Sequence, residues 1–214
     1  MKGLLLKDMY SVINNGRGLL LMMLILAFAL APSNGLTGFI ITGTVICSMM
    51  STTSFSIDHR HHWNSFAFTL PLSRQVIVGS KFISLLVFTL LGAVLSILFG
   101  IIAIIIVGKN EALIQTPIEN ILIATSLAIG ISMIFGTNAV ILFLKYGAEQ
   151  ARLYLLASYL IPAALFSLIF VSRISTWFTD LDIYTIAILF TIIVIGWILI
   201  GYFLSVRILN NKQY

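Results

Sequence analysis

The sequence predicts an all-α membrane protein, a polytopic bundle of helices. Of its 214 residues, 60% are hydrophobic and only 9% are charged, and the mean hydropathy is +1.11. A soluble domain is about one quarter charged. The apolar runs are long and unbroken, whereas strands of a membrane β-barrel alternate polar and apolar residues over about ten positions. We therefore predict a single transmembrane domain, residues 1–214, made of helices.

The first 17 residues predict an amphipathic helix that lies in the membrane interface. Leu5, Met9 and Ile13 fall on one face, and lysines and other polar residues occupy the other sides. A helix of this kind buries its apolar face at the boundary between headgroups and acyl chains. Residues 1–17 are therefore expected to precede the first span as an interfacial helix.

Six apolar segments predict six transmembrane helices. They comprise residues 18–31, 36–57, 82–107, 118–144, 153–171 and 183–206. The first is shorter than the roughly 20 residues that a span needs, so it must borrow flanking residues or thin the bilayer. An even number of spans places both termini on one side of the membrane.

The basic residues predict the orientation of these spans. If residues 58–81 are cytoplasmic, only Lys109 and Arg173 of the 12 lysines and arginines lie outside. Positive residues concentrate on the cytoplasmic side of membrane proteins. Both termini are therefore expected in the cytoplasm.

Three spans carry small residues at every fourth position, which allows helices to approach closely. We expect these faces to serve packing within one subunit rather than a subunit interface. The three sets are Gly43, Cys47 and Ser51; Gly92, Ser96 and Gly100; and Ala124, Ala128, Ser132 and Gly136.

The longest polar interruption runs from residue 58 to residue 81. Trp63, Phe66 and Leu70 share one stripe at helical spacing, and Pro71 ends that short helix. Ser73 can cap the next helix, although a basic residue in its first turn does not suit the helix dipole. Two interpretations stay open: a connector lying among lipid headgroups, where Trp and basic residues collect, or a docking element for a cytoplasmic partner.

Several chemistries are excluded by what the spans lack. No ionisable residue lies near the middle of a predicted span, which argues against a proton relay, an ion path or an intramembrane enzyme. Gly108 and Lys109 are followed by Asn110, so the phosphate-binding pattern G-x-x-x-x-G-K-[ST] is absent. The net charge of +5 is scattered, which does not match a nucleic-acid surface. Ser132 and Asn138 are expected to form interhelical hydrogen bonds.

The histidines and the cysteine predict no metal site. His59, His61 and His62 lie together within the polar interruption but without a neighbouring cysteine or paired carboxylates, so we interpret them as solvated interfacial residues. Cys47 stands alone within an apolar run, which gives no disulfide framework.

The chain resembles the small ABC-2 type transporter permeases of bacteria and is most similar to permeases that export phenol-soluble modulins and related amphipathic peptides. The resemblance covers the layout of nearly the whole chain, and its motifs are LKD at residues 6–8, WNSF at 63–66, LPLSR at 70–74 and SKF at 80–82.

This resemblance implies a coupling helix within residues 58–81 that docks into a separate cytoplasmic ATPase. It implies Asp58, Trp63, Phe66, Leu70 and Pro71 as the contact residues, with ATP and Mg²⁺ held by the partner and no cofactor or catalytic residue in this chain. A second permease copy, forming a homodimer, and the bacterial plasma membrane are also implied. The run of histidines before the tryptophan departs from the more usual acidic pattern.

Together these features predict the membrane subunit of an ATP-driven exporter of amphipathic peptide or lipid-like cargo, without enzymatic activity of its own. The alternative is a stand-alone membrane immunity or scaffolding protein that binds no ATPase. Copurification with an ATPase separates the two.

Overall fold

The computed structural model describes residues 2–60, 73–108, 116–171 and 183–211, and the regular structure within these ranges is α-helical. The helices are α1 (Lys2–Ser48), α2 (Met50–Arg60), α3 (Arg74–Val107), α4 (Ile118–Val171) and α5 (Ile183–Asn211). Residues 1, 61–72, 109–115, 172–182 and 212–214 lie outside the description.

Helix α1 is folded back on itself at Gly35. This residue has φ 76° and ψ 169°, a backbone conformation open to glycine but not to other residues. In a straight helix, residues 23 and 43 would be about 30 Å apart. Instead, Met23 Cε lies 3.4 Å from the position that a Cβ on Gly43 would occupy. The two arms of α1 therefore run antiparallel, with α2 extending the second arm beyond a turn at Met49.

Helix α4 contains a second interruption of the same kind at Gly147, which has φ 80° and ψ −179°. The ring centroids of Tyr146 and Tyr154 are 4.5 Å apart, whereas eight residues of straight helix would separate them by about 12 Å. The chain therefore turns sharply at Gly147. Both glycines fall in the gaps that the sequence predicts between spans, residues 32–35 and 145–152.

The second arm of α1 packs closely on α3 through the first two sets of small residues. A Cβ on Gly92 would lie 2.5 Å from Cys47 Cβ, and a Cβ on Gly43 would collide with Ser96. Gly100 faces Leu36 in the same manner. The prediction that these faces serve packing within one subunit is confirmed for this pair of helices.

The first part of α4 is the centre of the bundle. In its most apolar 18-residue window, 56% of residues are buried, against 11% for the window in α5. Ala128 and Ser132 are fully buried, and Leu85 of α3 packs against Gly136. The third set of small residues therefore also lies inside the chain.

Four helical stretches of the described residues are long and apolar enough to cross a membrane: Arg17–Asp58, Arg74–Val107, Ile118–Gly147 and Ala187–Asn211. The first of them contains the fold at Gly35. Large apolar side chains cover the outer faces, with Ile192, Ile193 and Phe203 of α5 all more than half exposed. The protein is an integral membrane protein, and the count of six spans stays a prediction.

The predicted interfacial helix is continuous with the first span, because α1 runs from Lys2 through residue 17 without a break. Its exposed side chains include Leu6 and Tyr10, whereas Asp8 is buried. The polar residue at this position therefore faces the bundle, which the amphipathic pattern did not predict.

Candidate functional site

The predicted contact residues fall in two groups. Trp63, Phe66, Leu70 and Pro71 lie outside the described residues, so their docking role stays a prediction. Asp58 is described: it lies in the last turn of α2, and only 6% of its surface is exposed.

Asp58 belongs to a cluster of four charged side chains, three of them buried and Lys7 partly exposed, which we call the charge cluster: Lys7, Asp8, Asp58 and Lys81. Lys7 Nζ donates to Asp58 Oδ1 at 2.5 Å, and Lys81 Nζ donates to Asp58 Oδ2 at 2.6 Å. Lys81 also donates to Asp8 Oδ1 at 2.8 Å, and Lys7 Nζ lies 3.4 Å from the same oxygen. Each carboxylate is thus paired with both lysines.

Two serines complete the shell around Asp8. Ser54 Oγ donates to Oδ1 and Ser84 Oγ donates to Oδ2, both at 2.9 Å. Asp8 is 1% exposed, and a carboxylate at that depth is stable only when its oxygens accept hydrogen bonds and a positive charge is near. The two serines and Lys81 meet both requirements.

The fold of α1 explains how these residues meet. Because the chain reverses at Gly35, Asp8 of the first arm faces Ser54 and Asp58 near the end of the second. The close packing of α3 on that second arm then places Lys81, about two turns into α3, beside both aspartates. Residues from three separate segments of the chain converge at one end of the bundle.

The electrostatics of the charge cluster are balanced. Burial raises the pKa of Asp8, but the charge and hydrogen bond of Lys81, together with Lys7 and Ser54, bring it below its ordinary value. Burial lowers the pKa of Lys7, and the charge of Lys81 lowers it further, while Asp58 opposes both effects. Asp8 is therefore ionised at neutral pH, and the formal charges of the two lysines and two aspartates cancel.

An aromatic layer underlies the charge cluster. Lys81 Nζ lies 4.9 Å from the ring centroid of Phe55, and Phe55 stacks on Phe143 of α4 with centroids 5.4 Å apart. A cation over a ring face is attracted by the ring quadrupole. The same layer includes Ile77 and Phe82, so apolar packing keeps water away from the inner side of the cluster.

Arg74 supplies a second polar contact at this end of the bundle. Its Nη1 donates to the backbone oxygens of Leu209 at 2.8 Å and Asn210 at 2.6 Å, in the last turn of α5. Ser73 caps α3 as predicted, its hydroxyl accepting from Val76 N. Arg74 does not suit the dipole of its own helix, but it neutralises the carbonyl end of another.

Sequence reasoning did not single out Asp8 or its partners, Lys7, Lys81, Ser54 and Ser84, as site residues. The lysines looked like ordinary cytoplasmic flanking charges, and no pattern of spacing links residues 7, 54 and 84. The one available signal was the resemblance, which includes residues 6–8 and 80–82 among its motifs. Asn138 was placed correctly, since its Oδ1 accepts from Trp197 Nε1 at 3.0 Å between α4 and α5, whereas Ser132 Oγ has no hydrogen-bond partner among the described residues.

Within residues 2–60, 73–108, 116–171 and 183–211, no three His, Cys, Asp or Glu side chains are grouped so as to hold a metal ion. The cluster joins helices; its carboxylate oxygens are all directed at lysine or serine.

Comparison with known proteins identifies a family. A family model described as "ABC-2 family transporter protein" matches residues 3–210. Neither a curated protein nor a solved structure matches the chain.

Proposed function

The chain belongs to the ABC-2 family of transporter proteins, and from that premise we propose that it is the permease subunit of an exporter that moves an amphipathic peptide or lipid-like cargo outward. Family membership supports the general part of this proposal, namely that the chain is a membrane transport subunit that works with a separate ATP-binding subunit. The match over residues 3–210 is the observation that carries it.

The interior supports an amphipathic cargo rather than an ion. Among the described residues, the buried polar side chains outside the charge cluster are hydroxyls, including Thr44, Thr89, Ser96 and Thr137, each with no exposed surface. Ion and proton paths need ionisable side chains at membrane depth. Among the described residues the buried charged side chains are Asp8, Asp58 and Lys81, and all three belong to the charge cluster.

We assign docking of the ATPase to residues 61–72, with Trp63 as the anchor and Phe66, Leu70 and Pro71 around it. Asp58 then contributes indirectly, because its carboxylate is already bound by Lys7 and Lys81. ATP and Mg²⁺ are bound by the partner. The proposal includes two copies of this chain, in the plasma membrane of a bacterium.

The proposed topology has six spans and two cytoplasmic termini. The turns at Gly35 and Gly147 support it, because each divides a long helix where two predicted spans meet. The distribution of the basic residues supports the orientation.

The test is copurification from the native cell, followed by activity. The tagged chain is expected to bring down an ATP-binding-cassette subunit, and the pair reconstituted in vesicles is expected to move a labelled amphipathic helical peptide when ATP is added. A chain that copurifies with no such subunit would be the stand-alone membrane protein of the alternative interpretation.

Trp63→Ala localises the contact. A buried aromatic anchor typically contributes about 2 kcal/mol or more to an interface, so its loss is expected to weaken ATPase binding about thirtyfold. Trp177→Ala is the matched control, since residue 177 is predicted to lie on the opposite side of the membrane. Equal copurification of the two variants would exclude Trp63 as the anchor.

A further inference from the structure

We propose that the charge cluster is the joint that transmits displacement of residues 61–72 to the transmembrane helices, with Asp8 as its central positioning residue. This inference rests on the proposed function, in which residues 61–72 receive the ATPase. The inference adds how a displacement caused by the ATPase is transmitted to the rest of the bundle.

The first argument is the position of the cluster along the chain. Asp58 lies just before residues 61–72, and Lys81 lies about two turns into the helix that follows them. The two are joined directly at 2.6 Å and again through Asp8. A force on residues 61–72 therefore arrives at both sides of one hydrogen-bonded unit.

The second argument is the stiffness of this unit. Lys81 Nζ contacts Asp8, Asp58 and Ser54 at 2.8, 2.6 and 3.4 Å, which engages one oxygen from each of three side chains. Rotating any helix away would leave a carboxylate or an ammonium buried without its partner, which is strongly unfavourable. A surface ion pair would yield instead, because water replaces the lost partner.

The third argument is that contacts at this end of the bundle connect the cluster to the other helices. Through Asp8 it holds the first arm of α1, and through Phe55 stacked on Phe143 it meets α4. Arg74, at the start of α3, holds the end of α5. The first arm of α1, together with α4 and α5, is thus connected to the ends of α2 and α3, which flank residues 61–72.

A purely structural role makes a different prediction. If the cluster served only to hold the fold, removing one charge would lower the amount of folded complex, and each surviving complex would work normally. A joint predicts that complexes assemble and hydrolyse ATP but move less cargo per ATP.

The experiment uses the full chain with its ATPase in vesicles, and it measures three quantities: ATPase bound, ATP hydrolysed, and labelled amphipathic helical peptide transported. The decisive variant is Asp8→Asn with Lys81→Met. It removes one charge of each sign, so the remaining Lys7 and Asp58 still pair and no buried charge is left uncompensated. Bound ATPase is expected to stay within a factor of about two, while cargo moved per ATP falls about 2- to 30-fold, the range for disrupted coupling contacts.

Conservative and control variants complete the design. Lys81→Arg keeps a positive charge that can reach both carboxylates and is expected to retain coupling, whereas Lys81→Met alone is not. Glu119→Gln removes an exposed carboxylate in the first turn of α4 and is expected to match wild type. If the double variant does not accumulate, Ser54→Ala with Ser84→Ala removes two hydroxyl donors to Asp8, leaves all four charges, and is expected to reduce coupling by a smaller factor.

The outcomes separate the two proposals. Wild-type chain that binds no ATPase would contradict the proposed function itself. Wild-type chain that transports, together with a double variant that moves as much cargo per ATP, would overturn the joint and leave the function intact. Unchanged coupling in the serine variant would overturn it equally.

Discussion

Replacing Gly92 by alanine tests whether the close contact between α1 and α3 holds the bundle together. A Cβ at residue 92 would lie 2.5 Å from Cys47 Cβ and 3.3 Å from the backbone oxygen of Thr44. Neither is the end of a flexible side chain, so the helices themselves must separate. Overpacking of this kind destabilises a protein by about 1–3 kcal/mol.

Gly196→Ala is the matched control, because a Cβ at residue 196 meets nothing within 4 Å. Both variants gain the greater helix propensity of alanine, about 1 kcal/mol, so their difference isolates the clash. For a chain of this size, about 1 kcal/mol corresponds to a change of about 2–4 °C in the unfolding temperature. Gly92→Ala is therefore expected to unfold about 2–12 °C below Gly196→Ala, measured by heating in detergent and size-exclusion chromatography.

A compensating change sharpens the result. Cys47→Gly removes the Cβ that the new methyl group meets, so adding it to Gly92→Ala is expected to recover much of the loss, and a double-mutant cycle is expected to give a favourable coupling. Our reasoning would be refuted by equal unfolding temperatures for Gly92→Ala and Gly196→Ala, or by a cycle with no coupling.

Three further predictions concern the end of the bundle that carries the charge cluster. The pKa of Asp8 is lowered, so its contribution to stability is present above the ordinary value of 3.8 and is lost as the pH falls below that value. The stability advantage of wild type over Asp8→Asn should therefore hold at neutral pH and shrink only in strong acid. Thermal unfolding measured across pH checks this. Arg74→Gln should speed amide hydrogen exchange in the last turn of α5 without changing α1, and equal protection in both proteins would show that the contact is dispensable. Single cysteines that replace Gly3 and Lys212, in a Cys47→Ser background, should not react with an impermeant external thiol reagent in intact cells. Labelling of either position would contradict the predicted topology.

The sequence predicted where the helices are interrupted better than it predicted which residues of different helices contact each other. The gaps between predicted spans bracket Gly35 and Gly147, because Pro32 and the polar residues after Leu144 interrupt the apolar runs. Ser73 was recognised as a cap because capping depends on the residue itself and its immediate neighbours. These signals depend on neighbouring residues only, so a single sequence is enough to recognise them.

The charge cluster was not predictable because its members are distant in sequence and individually unremarkable. A lysine beside a span is ordinarily solvated and orients the protein, and composition and spacing alone do not distinguish Lys81 from such a residue. Only the reversal at Gly35 and the packing of α3 bring it to Asp8. Arg74 illustrates the same limit, since its position is unfavourable for its own helix and makes sense only once α5 is known to end beside it.

The reversal at Gly35 also determines how the molecule can be cut. The backbone turns within one residue, so no extended segment between the first two spans can enter the active site of a protease. Limited digestion of the intact protein is therefore expected to leave the chain uncut at Gly35, while Gly35→Ala, which strains the positive φ, is expected to open the turn and allow cleavage there. A tag or sensor inserted at this point would part the two arms, and with them Asp8 from Asp58.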